Sequence, residues 1–376
     1  MKKSVFFLTV LVALFFLLSC VASADEPASQ EKVYAEAERL YFTEQDYEAA
    51  VKILEPLTQE GYAPAEWLLG HAYHNGNGVE LDLNKAEKLY YAASEKGYAN
   101  GTYCLAFINE KNGNNDYARE TYKKAFEQLS KETEGKTDGS LSDASAWRYL
   151  GQCYYYGDGT EKNLEAAVDC LTIAIDLGNI GAIDWLGCLY ANGGPKIQQD
   201  YSKAFSLFQQ GADLNDSASQ YHLGMCYYNG DGVSINTSKA AEYIQMAADQ
   251  GKTVAQAEIG WYYLDGIGVA KDYSKALDYL LMAAEAGNYA AKANLGYMYM
   301  EGLGVAKDYS KALEYTKEAA EAGNSTAQNN YGWMFLNGYG VEKNYSEARK
   351  WFTEAEKNGN TRAKENRRNM DINNQY

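Results

Sequence analysis

The chain is poor in several things that would have fixed its chemistry quickly. It has 4 Pro and 3 His in 376 residues, and one long hydrophobic run, at its start. Few prolines leave helices uninterrupted. Basic residues are also short, 34 against 51 acidic, for a formal charge of -17. Nucleic acid needs a basic stripe to neutralise phosphates, so that class of partner is excluded, and a basic partner is favoured. Gly-x-Gly turns such as Gly266-Ile267-Gly268 have no Walker lysine or dinucleotide strand beside them, and the helix that follows opens with Asp or Asn, which repels an anion. His71 and His74, three apart, have metal-ligand spacing, but the chain pattern fixes no cysteine or carboxylate beside them. Packing or surface placement is the reading for both. No catalytic, metal or cofactor residue is assigned.

The start reads as an export signal: Lys2 and Lys3, then apolar sequence from Val5 to Leu18, then small residues. Two cleavages compete. Leu17-Leu18-Ser19-Cys20 resembles a lipobox that would leave Cys20 lipidated, and Ala22-Ser23-Ala24 fits ordinary signal peptidase with Asp25 as the new N-terminus. An uncleaved anchor from Ser4 to Ala24 is the third option. Losing Lys2 and Lys3 takes the charge from -17 to -19. The expected location is outside the cytoplasm: periplasmic, outer-membrane-attached lipoprotein or extracellular. Contact with a membrane is expected only through a lipid on Cys20. Beyond Cys20 stand Cys104, Cys153, Cys170, Cys188 and Cys226, an odd number without regular spacing. They read as small buried hydrophobes, with Cys170 to Cys153 or Cys188 the one pairing worth testing.

What the chain has in abundance is repetition. YLDGIGVAKDYSKALDYLLMAAEAGN from Tyr263 to Asn288 returns 36 residues later as YMEGLGVAKDYSKALEYTKEAAEAGN. Such a period marks a solenoid, in which each unit buries its apolar face only against its neighbours. Asp46, Asp82, Asn163, Asp200, Asn236, Asp272, Asp308 and Asn344 form a column of helix N-caps. Four residues on stands alanine every time, from Ala50 to Ala348, where backbones can approach. Fifteen on stand Gly61, Gly97, Gly178, Asn215, Gly251, Gly287, Gly323 and Gly359, the residues that tolerate a left-handed helix stop. Glycine pairs such as Gly76 with Gly78 and Gly266 with Gly268 make the turn between the two helices of a unit. A glycine inside each first helix, such as Gly260, costs roughly 1 kcal/mol against alanine, so its recurrence implies close helix contact. The caps count about eight helix-turn-helix units.

The pattern A-x-x-x-L-G-x-x-Y, G-x-G-V, D-Y-S-K-A and A-A-x-x-G resembles the Sel-1-like repeat, a relative of the tetratricopeptide repeat, over about residues 31 to 360. The resemblance implies an all-α, α/α superhelical solenoid and an adaptor that brings proteins together. The first and third units lack the G-x-G-V turn and look like plain tetratricopeptide units, with Asn114 opening the third unit's second helix. A polar loop at 131–143 follows. The expected organisation is a signal peptide at 1–24, a tether at 25–30, repeats at 31–130 and 144–360, and a polar tail at 361–376. Gly193-Gly194-Pro195 lengthens the fifth unit's turn by one residue.

A cysteine-rich branch of that family is linked to penicillin binding, which implies a cell-wall or β-lactam-directed hydrolase as an alternative. Ser29-Gln30-Glu31-Lys32 matches S-x-x-K, yet no S-D-N or K-T-G accompanies it. N-x-S/T sequons at Asn100, Asn215, Asn236, Asn324 and Asn344 admit a eukaryotic secretory-pathway adaptor instead. For the adaptor reading, the useful feature is a row one residue after the first-helix glycines: His71, Gln152, Cys188, Met225, Trp261, Tyr297 and Trp333. In a right-handed superhelix the first helices line the inner surface. Met225, Trp261, Tyr297 and Trp333, flanked by Tyr221, are the expected seat for a protein or peptide partner, because large rings bury area at low entropic cost. The competing account is that neighbouring first helices pack these rings against one another.

Overall fold

A computed structural model describes residues 29–136 and 139–372. The signal-peptide region with Cys20, most of the tether and the last four residues of the tail lie outside the described residues. Those described are all-α: helices alternate with short turns, and the one β-type pairing is a bridge between Gly194 and Ile197. None of these helices is long and apolar enough to cross a membrane.

The chain divides into two compact units, Met1–Asn179 and Ile180–Tyr376. In the first, the helices are α1 (Gln30–Glu38, continued by a π-helical turn at Arg39–Glu44), α2 (Tyr47–Gln59), α3 (Ala63–Asn75), α4 (Leu83–Glu95), α5 (Ala99–Lys111), α6 (Asn115–Thr133), α7 (Leu141–Tyr156) and α8 (Leu164–Asp176). The second holds α9 (Ile180–Asn192), α10 (Tyr201–Asp213), α11 (Ser217–Asn229), α12 (Thr237–Asp249), α13 (Thr253–Asp265), α14 (Tyr273–Glu285), α15 (Tyr289–Glu301), α16 (Tyr309–Glu321), α17 (Ser325–Asn337), α18 (Tyr345–Lys357) and α19 (Thr361–Ile372). Among the described residues these make four antiparallel pairs in the first unit, and five pairs plus a closing helix in the second. The pair that the cap column does not count is α5 with α6. There Asn114 stands at the helix start, but its amide turns back to Asn109 Oδ1 at 3.1 Å, so it does not accept from the first turn.

Every member of the cap column accepts a backbone N–H from the first turn of its helix, Asp272 and Asp308 from two each. The polar stretch 131–143 is divided three ways. Its first residues finish the long α6, a short connection follows, and Ser140 with Asp143 forms a reciprocal capping box on α7.

Two columns face each other in five of the pairs, those of Gly151, Gly224, Gly260, Gly296 and Gly332. The eight alanines four residues after the caps are fully buried. A side-chain carbon placed on Gly260 would fall 3.3 Å from the Ala276 carbonyl and 2.7 Å from Leu280, and Gly332 and Gly224 repeat the arrangement against Ala348 and Ala240. Glycine and alanine together bring the two backbones close, which recovers the helix penalty as packing. A second device repeats at the rim: Tyr263 stacks on Tyr279 with centroids 6.2 Å apart while Lys275 sits 5.0 Å over the Tyr263 ring. Tyr227, Tyr243 and Lys239 do the same, as do Tyr299, Tyr315 and Lys311. The abundance of tyrosine therefore has a structural cause, an aromatic and cation–π clasp in each such pair.

The described cysteines are all free thiols, so neither proposed pairing of Cys170 is formed. Cys104, Cys153, Cys170 and Cys226 are buried among apolar side chains. Asn100 is wholly buried, which closes that sequon to a glycan in the folded chain.

Candidate functional site: the face of the first helices

Within each unit the first helices of successive pairs approach one another directly, α3 with α5 and α5 with α7 in one unit, α9 with α11, α13 with α15 and α15 with α17 in the other. Second helices do not come as close. The row after the first-helix glycines lies on this face, and the two units treat it differently.

In the first unit the row is closed in. Gln152 is buried, and His71 sits among Tyr41, Phe42 and Trp67, with Nδ1 3.0 Å from the Tyr41 hydroxyl and 3.1 Å from the Asn75 amide. Burial first, then the charge of Arg148, push the His71 pKa down to about 3, so its imidazole is neutral. His74 is held down by burial as well.

In the second unit the row opens toward its C-terminal end. Tyr221, Met225 and Trp261 are half-buried, and Trp261 is committed on two sides: its Nε1 donates to Asp265 Oδ2 at 2.7 Å, and its ring meets Tyr228 of the preceding first helix at 6.2 Å. At this position the packing of neighbouring first helices does absorb the ring. Tyr297 and Trp333, by contrast, are 39% and 38% exposed, and among the described residues neither ring stacks on another. Burial pushes the pKa of neighbouring Glu258 up, as it does that of Tyr221, where the Glu258 charge adds to the effect.

The same face holds a cluster that spacing alone did not disclose. Asp184 and Cys188 lie one turn apart on α9, and His222 comes from α11. His222 Nδ1 is 2.6 Å from Asp184 Oδ1, and Cys188 Sγ is 3.7 Å from Nδ1 and 3.9 Å from Nε2. Phe208 lies against the imidazole at 5.0 Å. Cysteine, histidine and aspartate also make up nucleophilic triads, but here the thiol is wrong for that work. Burial and the neighbouring Asp184 charge push the Cys188 pKa well up, so the nucleophilic thiolate is suppressed.

A model of the Sel1 repeat matches residues 63–98, 144–179, 181–216, 217–252, 253–288, 290–324 and 325–360, leaving out the first and third pairs, the two whose turns depart from the pattern. Among solved structures, the chain is similar to c5321, a protective antigen present in uropathogenic Escherichia coli strains displaying an SLR fold, at 29% identity with a TM-score of 0.55. That alignment covers 84% of this chain and 66% of c5321, so the chain spans just under two thirds of that protein. A Sel1 repeat protein from Oxalobacter formigenes is 23% identical over 90% of this chain and 86% of its own, with a TM-score of 0.50. Seven repeat matches extending over most of the chain, joined to a stack of capped helix pairs, show that the chain belongs to the Sel1 repeat family.

Proposed function

We propose that the protein is an exported scaffold that binds another protein or a peptide on the first-helix face of its C-terminal pairs. Sel1 repeat proteins are generally non-catalytic scaffolds, and Sel1 and tetratricopeptide-like repeats typically bind protein partners. The observation that carries the finer reading is the exposure of Tyr297 and Trp333, two large rings at equivalent positions of successive first helices. An exposed aromatic on a rigid helix contributes contact area without a large ordering cost, which is the property of interface anchors. Met225, Trp261 and Tyr221 extend the surface as half-buried rim. The leader supports export, with a lipid on Cys20 or free release as the two destinations it allows, and the acidic charge of -17 supports a partner with basic groups at its edge.

The test compares the wild-type chain with Tyr297→Ala/Trp333→Ala in capture of proteins from the envelope and secreted fractions of the native host. A species retained by wild type and lost by the folded double variant supports the reading. Equal capture of every species would remove these rings from the interface.

A further inference from the structure

We propose that Asp184, Cys188 and His222 form a binding site for a divalent cation of the Zn2+ type, with one coordination position left open. The donor atoms, a sulfur, an imidazole nitrogen and a carboxylate oxygen, all lie within 4.8 Å of one another. Zinc takes sulfur at about 2.3 Å and nitrogen or oxygen at about 2.0–2.2 Å, which puts neighbouring donors of a tetrahedral site about 3.3–3.6 Å apart. The separation of 3.7 Å from Nδ1 to Sγ is close to those values, whereas Nδ1 and Oδ1, at 2.6 Å, are in direct hydrogen-bond contact and must move apart to admit the ion. Side-chain adjustments of under about an ångström would seat the ion.

Three further observations point the same way. The donors are carried on two adjacent, rigid first helices, and the one-turn spacing of Asp184 and Cys188 sets both on one side of α9. The site is walled on one side and open on the other: the Asp184 side chain retains 12% of its surface and the His222 side chain 34%. The charge also balances, since a dication with one thiolate and one carboxylate is neutral, which suits a half-buried setting. On binding, the Cys188 S–H bond breaks and its proton leaves to bulk water as the S–metal bond forms. The Nδ1–H that donates to Asp184 Oδ1 in the ion-free site gives its proton to bulk water and Nε2 takes one up, so the imidazole stays neutral while the Nδ1 lone pair goes to the metal. No electron changes hands. Mixed sulfur, nitrogen and oxygen donors favour Zn2+ or Co2+ over Mg2+ or Ca2+, which take oxygen.

The test is titration of the reduced, tag-free full chain with Co2+. The expected result is saturation at one equivalent, with a sulfur-to-cobalt charge-transfer band and the visible bands of tetrahedral cobalt, both displaced by Zn2+. Cys188→Ser is expected to abolish the charge-transfer band, and Asp184→Asn and His222→Gln to weaken affinity by about tenfold or more. Cys226→Ser, a buried thiol outside the cluster, is expected to leave the spectrum unchanged. Absence of saturable bands in the wild type, or their survival in Cys188→Ser, overturns the proposal. A measurement without variants guards against misfolding: Zn2+ is expected to slow alkylation of Cys188, read by mass spectrometry. An unchanged rate overturns the site.

Discussion

Replacing the second glycine of a turn is predicted to cost far more than replacing the helix-stop glycine, although both have left-handed backbones. Gly268 has φ +67 and Gly287 has φ +84. An alanine at either position carries about 1–2 kcal/mol of left-handed strain. Around Gly287 a new side-chain carbon meets nothing within 4 Å, so Gly287→Ala ends there. At Gly268 the same carbon would stand 2.0 Å from the Thr237 carbonyl oxygen and 2.4 Å from its carbon. That carbonyl opens α12 and is held by helix geometry, so the turn itself must move away, adding about 1–3 kcal/mol of overpacking. The expected totals are about 1–2 kcal/mol for Gly287→Ala and about 2–5 kcal/mol for Gly268→Ala. Repeat arrays unfold in parts, so hydrogen exchange is the suitable assay, with urea unfolding beside it. Loss of protection should concentrate at the start of α12 and in the turn after α13 for Gly268→Ala. Equal destabilisation by the two variants would refute the argument that the second glycine exists to let one pair's turn sit on the preceding pair's helix.

Phe352 is fully buried on the flank of Gly332, so Phe352→Ala should cost about 3–5 kcal/mol, whereas exposed Trp333→Ala should change stability by no more than about 0.5 kcal/mol; thermal unfolding of the two checks this. Asp272 accepts from the N–H groups of Ser274 and Lys275, so Asp272→Ala should lose about 1 kcal/mol and Asp272→Asn much less, read by exchange at the start of α14. Burial first, then the Glu110 charge, push the Asp158 pKa up to about 6 from its ordinary value of 3.8. A raised acid stabilises the fold when protonated. Its contribution is therefore present below about pH 4 and is lost as pH rises through about 6, and Asp158→Asn should flatten the stability of the first unit across that window.

The repeat frame was legible because it is made of backbone requirements. Caps, stops and turn glycines answer to the geometry of a single chain segment, and Asp272, Gly287 and Gly266 do in the structure what their letters imply. The α5–α6 pair was legible as the third unit but falls outside the cap count because it breaks the spacing: Asn114 lies 32 residues after Asp82 and 49 before Asn163. Gly268 was legible as a turn residue, yet its contact with Thr237 joins two units and leaves no local pattern. The aromatic row was found by spacing, but spacing does not report burial. Trp261 and Trp333 hold equivalent positions, but the first has Tyr228 against its ring and Asp265 on its Nε1. His222 lies 38 and 34 residues after Asp184 and Cys188, so neither interval equals the period, and the cluster emerges only when adjacent helices are laid side by side.

The most direct test of the central claim is site-specific photocrosslinking in the native host. A benzophenone amino acid is placed at Tyr297 or Trp333 on the first-helix face, and at exposed Met282 on second helix α14 as the comparison. Discrete protein adducts are expected from Tyr297 and Trp333, and none of the same species from Met282. No adduct from the two ring positions, or the same adducts from all three, would contradict it.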